Sequence, residues 1–201
     1  MQEQLDHLNT MHLGKLVAWA KDKTFHEKSL FLVESLASLV LGIKPSVLLN
    51  VSVENEAEWI EFVALFTQQK GLQIKEIREL NGRLQVIFYQ REKLDFVLRQ
   101  KPVQEFLRTL NYPKQYSLEA YLSLLKHRII SLKFPHEVGV FLGYPLKDVL
   151  GFMGLLPLPY KRTQGWRIYG DELPSNKVYE KYRQARSIMR KLAVNIDQET
   201  T

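Results

Sequence analysis

Gln73-Ile74-Lys75-Glu76-Ile77-Arg78-Glu79-Leu80-Asn81-Gly82-Arg83-Leu84-Gln85-Val86-Ile87-Phe88-Tyr89-Gln90 is the stretch that decides the fold class. Asn81-Gly82 is a dipeptide that tolerates two successive positive φ angles. It lies between two apolar-rich arms, so a β-hairpin is predicted over 73–80 and 83–90. The second arm alternates and puts Leu84, Val86 and Phe88 on one face. The first arm spaces Ile74, Ile77 and Leu80 by three, which suits either a helical turn or a bulged strand.

Working outward, the run 46–53 after Pro45 is β-rich and predicts a third strand. Between it and the hairpin, Asn55 is placed to cap a helix from Glu56 to Gln69, with Gly71 just past its end. Trp59, Phe62, Val63 and Phe66 have helical spacing and are assigned to the core. Upstream, residues 25–42 predict a helix with Thr24 as N-cap, Glu27 three residues on, and Gly42 as its stop. Residues 3–20 predict a first, peripheral helix with Leu5, Leu8, Leu13, Leu16 and Val17 roughly on one side.

Downstream, helical signals over 94–110 are broken at Pro102. Ser117 caps a helix to about Leu132, with a stripe of Leu118, Tyr121, Leu122, Leu125, Ile129 and Leu132. Pro135, Pro145, Pro157 and Pro159 punctuate short helices and turns, Trp166-Arg167-Ile168-Tyr169 predicts a short strand, and 176–195 a final helix. That helix carries Val178, Tyr182, Ala185, Met189 and Leu192 at spacings of four and three. The expectation is an α+β fold: a small β-α-β-β sheet with strands near 46–53, 73–80 and 83–90, framed by helices, with a helical hairpin at 135–153. Whether 166–169 joins that sheet is left open. No repeat or linker appears, so 1–201 is expected to form a single domain with a frayed tail at 196–201.

The chain has 201 residues, 45% hydrophobic and 25% charged, which are ordinary globular values. It contains no Cys. That excludes a disulfide scaffold, thiolate nucleophiles, CxxC redox chemistry and Cys-ligated zinc. No basic segment followed by an apolar core opens the chain. The most apolar run, Leu30–Ile43, is shorter than the ~20 residues of a spanning helix and is interrupted by Glu34. A cytoplasmic protein with no membrane association is expected. The net charge is +6. Residues 161–191 hold nine basic and three acidic groups, whereas 1–60 hold five basic and eight acidic ones. This asymmetry points to an anionic small molecule or acidic protein as partner, with nucleic acid as the weaker option.

The densest motif is Phe134-Pro135-His136-Glu137-Val138-Gly139-Val140-Phe141-Leu142-Gly143-Tyr144-Pro145-Leu146-Lys147-Asp148-Val149-Leu150-Gly151-Phe152. It resembles the signature of a bacterial domain-of-unknown-function family, family 3793, found mainly in anaerobes. The stripe around Leu125 and Arg128, Gly42-Ile43-Lys44-Pro45-Ser46, Gly165-Trp166-Arg167-Ile168-Tyr169 and the pair Tyr182-Arg183 extend the likeness over about residues 25–190. The resemblance implies a bacterial protein and supplies no activity. Family members often carry Cys, and this chain has none, so shared chemistry cannot depend on thiols here. An association with iron, haem or flavin handling makes such a role, with His136 and Glu137 in the site, an alternative reading.

Read physically, His136-Glu137 falls short of H-E-x-x-H, because position 140 is Val; no metal site is expected. The two are the candidate catalytic acid/base pair, but adjacent helical residues diverge by about 100°. Pro135 followed by Glu137 is also an ordinary helix start. The segment 137–152 matches a helix-turn-helix pattern as well, with Gly143 at the turn and Gly139 four residues before it. As a DNA reader it is poor, because only Lys147 and Asp148 are expected to point outward. As a packing unit it is good. Tyr144, Arg167, Arg183 and Arg186 are the candidate ligand-binding residues, the arginines chosen for forked contacts with phosphate or carboxylate. The leading expectation is a non-enzymatic binding or regulatory module for an anionic ligand or partner.

Overall fold

A computed structural model of the chain describes residues 2–131 and 134–199. The predicted stripe residue Leu132 lies outside them. The elements run α1 (Gln2–Lys21), α2 (His26–Val40), β1 (Ser46–Val51), α3 (Glu56–Thr67), β2 (Leu72–Leu80), β3 (Arg83–Gln90), α4 (Arg91–Arg99), α5 (Lys101–Thr109), α6 (Leu118–Ser131), α7 (Val138–Phe141), α8 (Leu146–Phe152), β4 (Tyr160–Gln164), β5 (Trp166–Tyr169) and α9 (Leu173–Glu199). The fold is α+β. They gather into two compact units, Met1–Arg91 with Lys181–Thr201, and Glu92–Glu180.

In the first unit the hairpin forms where Asn81-Gly82 predicts it, with φ of 53° and 69° at the two turn residues. The register shifts between Glu76 and Arg78, so the spacing of three in the first arm marks a bulged strand. The sheet order is β1-β3-β2, antiparallel throughout, with Leu49 opposite Val86 and Ile74 opposite Phe88. Val86 and Phe88 face the core, where Phe62 and Phe66 of α3 meet the Phe88 ring at 6.1 and 5.4 Å. Asn55 caps α3 as predicted, its side chain accepting from the Ala57 and Glu58 amides at 2.9 and 3.4 Å.

Helix α1 buries Leu13, Leu16 and Val17 of its predicted stripe in the core, whereas Leu8 is exposed. One expectation needs correction here. Thr24 does not cap α2. The helix starts at His26, so Phe25 holds the cap position and the hydroxyl sits one residue too early to reach the first amides. Helix α9 runs on to Glu199. From this unit's share of α9, Ala185 and Met189 are buried.

In the second unit, Pro102 occupies the first turn of α5 and separates it from α4. The Ser117 hydroxyl accepts from the Ala120 amide at 3.1 Å and starts α6. The predicted stripe of α6, Leu118 through Ile129, is buried. Strand β5 does not join the three-stranded sheet. It pairs with β4, a strand absent from the expectation, in a separate antiparallel ribbon. The physical reason is the turn at Gly165, whose φ of +76° folds the chain straight back on itself.

Candidate functional site

Three elements of the second unit, α7, α8 and β5, build a cleft around the dense segment. Helix α7 is one turn long, and only four residues separate it from its successor. The chain reverses through Gly143, at φ +79°, and the Tyr144 amide donates to the Gly139 carbonyl at 2.9 Å. Gly139 is required for packing: a Cβ there would lie 2.9 Å from Val149 Cγ2 and 3.2 Å from Tyr144 Cδ2. Sequence reading anticipated the helical hairpin and its turn at Gly143.

Asp148 departs from expectation. It was placed outward, but it is 2% exposed. Its Oδ2 accepts from Trp166 Nε1 at 2.8 Å and from the Ser175 hydroxyl at 2.6 Å. Its Oδ1 accepts from the Tyr169 amide at 2.9 Å and from Lys147 Nζ at 2.6 Å. Lys147 also donates to the Tyr169 carbonyl and the Ser175 hydroxyl. A buried carboxylate must be hydrogen-bonded, and the donors on β5 and α9 draw it inward. Burial pushes the Asp148 carboxyl up, but these four donors outweigh it and hold it below the usual carboxylate range. With Lys147 tied in as well, neither residue is a free outward group for reading bases.

The His136-Glu137 pair divides. Glu137 is 1% exposed and turns inward. It accepts from Arg128 Nε at 2.5 Å and from the Tyr112 hydroxyl at 3.4 Å. Burial, then the Glu137 charge, pushes the Tyr112 hydroxyl far up, so it stays a donor. The pair Arg128–Glu137 thus ties α6 to the start of α7. His136 turns the other way and sets its ring 4.8 Å from that of Phe152, edge to face.

The cleft has a volume of about 430 Å³. Its walls are largely apolar: Phe134, Val138, Leu142, Val149, Phe152 and Trp166. Tyr144 stacks on Trp166 at 4.7 Å and 18°, and Trp166 is fixed in turn by its bond to Asp148. The Arg167 guanidinium lies 5.3 Å from the Phe152 ring centre. Among the described residues no carboxylate pairs with Arg167. The structure therefore brings His136, Tyr144 and Arg167 together in one lining. Glu137 is not part of it. Arg183 and Arg186 are exposed on the α9 segment of the first unit and do not line it. Near Arg186, Lys44 sits 5.1 Å over the Tyr182 ring, and burial, then Arg186, pushes its amine down to about 8.

Sequence reasoning did not find the aromatic walls Phe134 and Phe152 or the partner Ser175. The two phenylalanines close the dense motif at either end, but no periodicity joins residues so far apart. Ser175 lies 27 residues from Asp148 with no shared motif.

An α+β chain whose P-H-E…G-Y-P…D segment builds an aromatic cleft edged by one His and one Arg defines the class. The model of the family described as protein of unknown function (DUF3793) matches residues 32–200. The chain belongs to that family. No curated protein and no solved structure matches it. Among the described residues no helix is long and apolar enough to cross a membrane, and no three His, Asp or Glu side chains gather as a metal-holding group.

Proposed function

We propose that this protein is a non-catalytic binding module for a small amphipathic anion, held in the cleft between α7, α8 and β5. The observation that carries the reading is Arg167: a guanidinium resting on Phe152, without a carboxylate partner among the described residues, at an otherwise apolar cleft. An apolar ligand body fits against Phe134, Phe152 and Trp166, and its carboxylate or phosphate meets the fork of Arg167. His136, on the same Phe152 ring, supplies a second donor toward that anionic group. Tyr144 supports the wall by stacking on Trp166. The hydrogen bonds that Asp148 accepts keep this wall rigid, which preorganises the site.

The test is a titration of the full chain with 2-naphthoate and its neutral counterpart 2-naphthalenemethanol, followed by quenching of Trp166 emission in a Trp19→Phe, Trp59→Phe background. Naphthoate saturates, and the neutral alcohol binds about ten-fold more weakly, the worth of one charge-assisted contact. Arg167→Gln removes that difference and leaves binding of the alcohol unchanged. Equal affinity of the wild type for acid and alcohol overturns the proposal, as does an unaltered preference in Arg167→Gln.

A further inference from the structure

A second cleft, also of about 430 Å³, lies wholly within the first unit. It is bounded by the end of α1, the start of α2, the end of β1 with the loop after it, and α3. Trp59 and Phe31 form part of its wall, and the buried Phe62 lies beneath. Phe31 is 70% exposed, an apolar ring the core does not use. The charges in the lining are mostly acidic: Glu27, Glu54 and Glu58 against Lys28 and Arg83.

Those carboxylates are not equivalent. Glu54 holds the Lys28 ammonium at 2.5 Å, and that ammonium lies 5.1 Å from the Phe25 ring centre. One wall of the cleft thus already seats an amine between a carboxylate and an aromatic face. The carboxylates of Glu27 and the half-buried Glu58 have no hydrogen bond or ion pair among the described residues. Lys23, whose charge interacts with Glu58, is itself bonded to Glu61 at 2.7 Å. A half-buried carboxylate whose nearby cation is hydrogen-bonded to another residue, beside open aromatic surface, is complementary to a cation with an aliphatic body.

We infer that this cleft binds an organic cation bearing a protonated amine, the amine against Glu58 and Glu27 and the carbon chain across Phe31 and Trp59. This site is separate from the anion cleft and does not depend on it. Arg83, exposed on β3, sets the edge at which a second positive group is disfavoured.

The experiment is isothermal titration of the full chain with n-pentylamine, with N-acetyl-lysine amide, and with pentanoate as the anionic control. Pentylamine binds saturably and pentanoate does not. Glu58→Gln weakens the amine about ten-fold or more, the loss of one charge-assisted partner. Phe31→Ala weakens it about three-fold through lost ring contact, and its exposed position keeps the fold intact. Arg167→Gln leaves amine binding unchanged. If N-acetyl-lysine amide binds as tightly as pentylamine, the natural cation is a protein lysine; if only pentylamine binds, it is a free amine. Absence of saturable amine binding, binding of pentanoate with equal affinity, or wild-type affinity in both Glu58→Gln and Phe31→Ala overturns the inference.

Discussion

Asp148 carries more of the second unit's architecture than any other single polar side chain described. Its two oxygens collect donors from α8 itself, from β5 and from the start of α9, and each is buried or half-buried. Asp148→Ala leaves the Trp166 indole and the Tyr169 amide without their acceptor, and takes its counter-ion from Lys147, which keeps only the Tyr169 carbonyl and the Ser175 hydroxyl. Breaking one side of such a network costs about 3 kcal/mol or more. Urea unfolding of the full chain, followed by Trp166 emission, measures it; a loss under 1 kcal/mol would show that water replaces the carboxylate. Adjacent residues can serve opposite ends, as His136 and Glu137 show. Their identity was legible in the motif, and so was their divergence. Which of the two turns inward was not, because that depends on Arg128, nine residues away on another helix.

At the scale of elements, capping and turn chemistry were largely legible because they are local. Asn55, Ser117, Gly42 and Asn81-Gly82 act within four residues of themselves. Thr24 failed by one position, since cap geometry has no tolerance for a shifted start. How closely two elements approach was legible only in part. Gly139 was anticipated from its spacing to Gly143. The contact at Gly151 was not legible: a Cβ on it would lie 2.7 Å from Tyr169 Cγ and 2.8 Å from Tyr169 Cβ. Gly151→Ala therefore pushes α8 off β5 and costs about 1–3 kcal/mol. Gly14, within α1, has nothing within 4 Å of the same added atom. Gly14→Ala stabilises the chain by about 0.5–1 kcal/mol through helix propensity. Thermal melts of the two variants should move in opposite directions; a shared sign would refute the packing argument.

Across the whole molecule, two buried groups set separate acid responses. His12 is buried in the first unit, and burial lowers its pKa from 6.5, with Lys15 adding to the effect and a bond to the Phe66 backbone opposing it. Below pH 6.5 the unfolded chain therefore binds a proton that the folded chain resists, and stability falls as pH drops toward the lowered value. Asp148 in the second unit has its pKa lowered from 3.8, so its contribution persists above that pH and is lost only below it. Amide exchange of the full chain at pH 7 and pH 5 should show protection falling in α1 while α8 and β5 hold. His12→Gln should flatten the loss in α1; an unchanged pH dependence in that variant would remove His12 as its cause. The sequence by itself determined the α+β class, nearly every element and the hairpin. Periodicity, caps and turn glycines are written in neighbouring positions. Only the tertiary structure decided that β5 pairs with β4, that Asp148 points inward, that Arg167 joins His136 at one cleft, and that Arg183 and Arg186 do not line it. Those outcomes depend on which distant surfaces meet, and the free energy of that meeting is not encoded in any short stretch of chain.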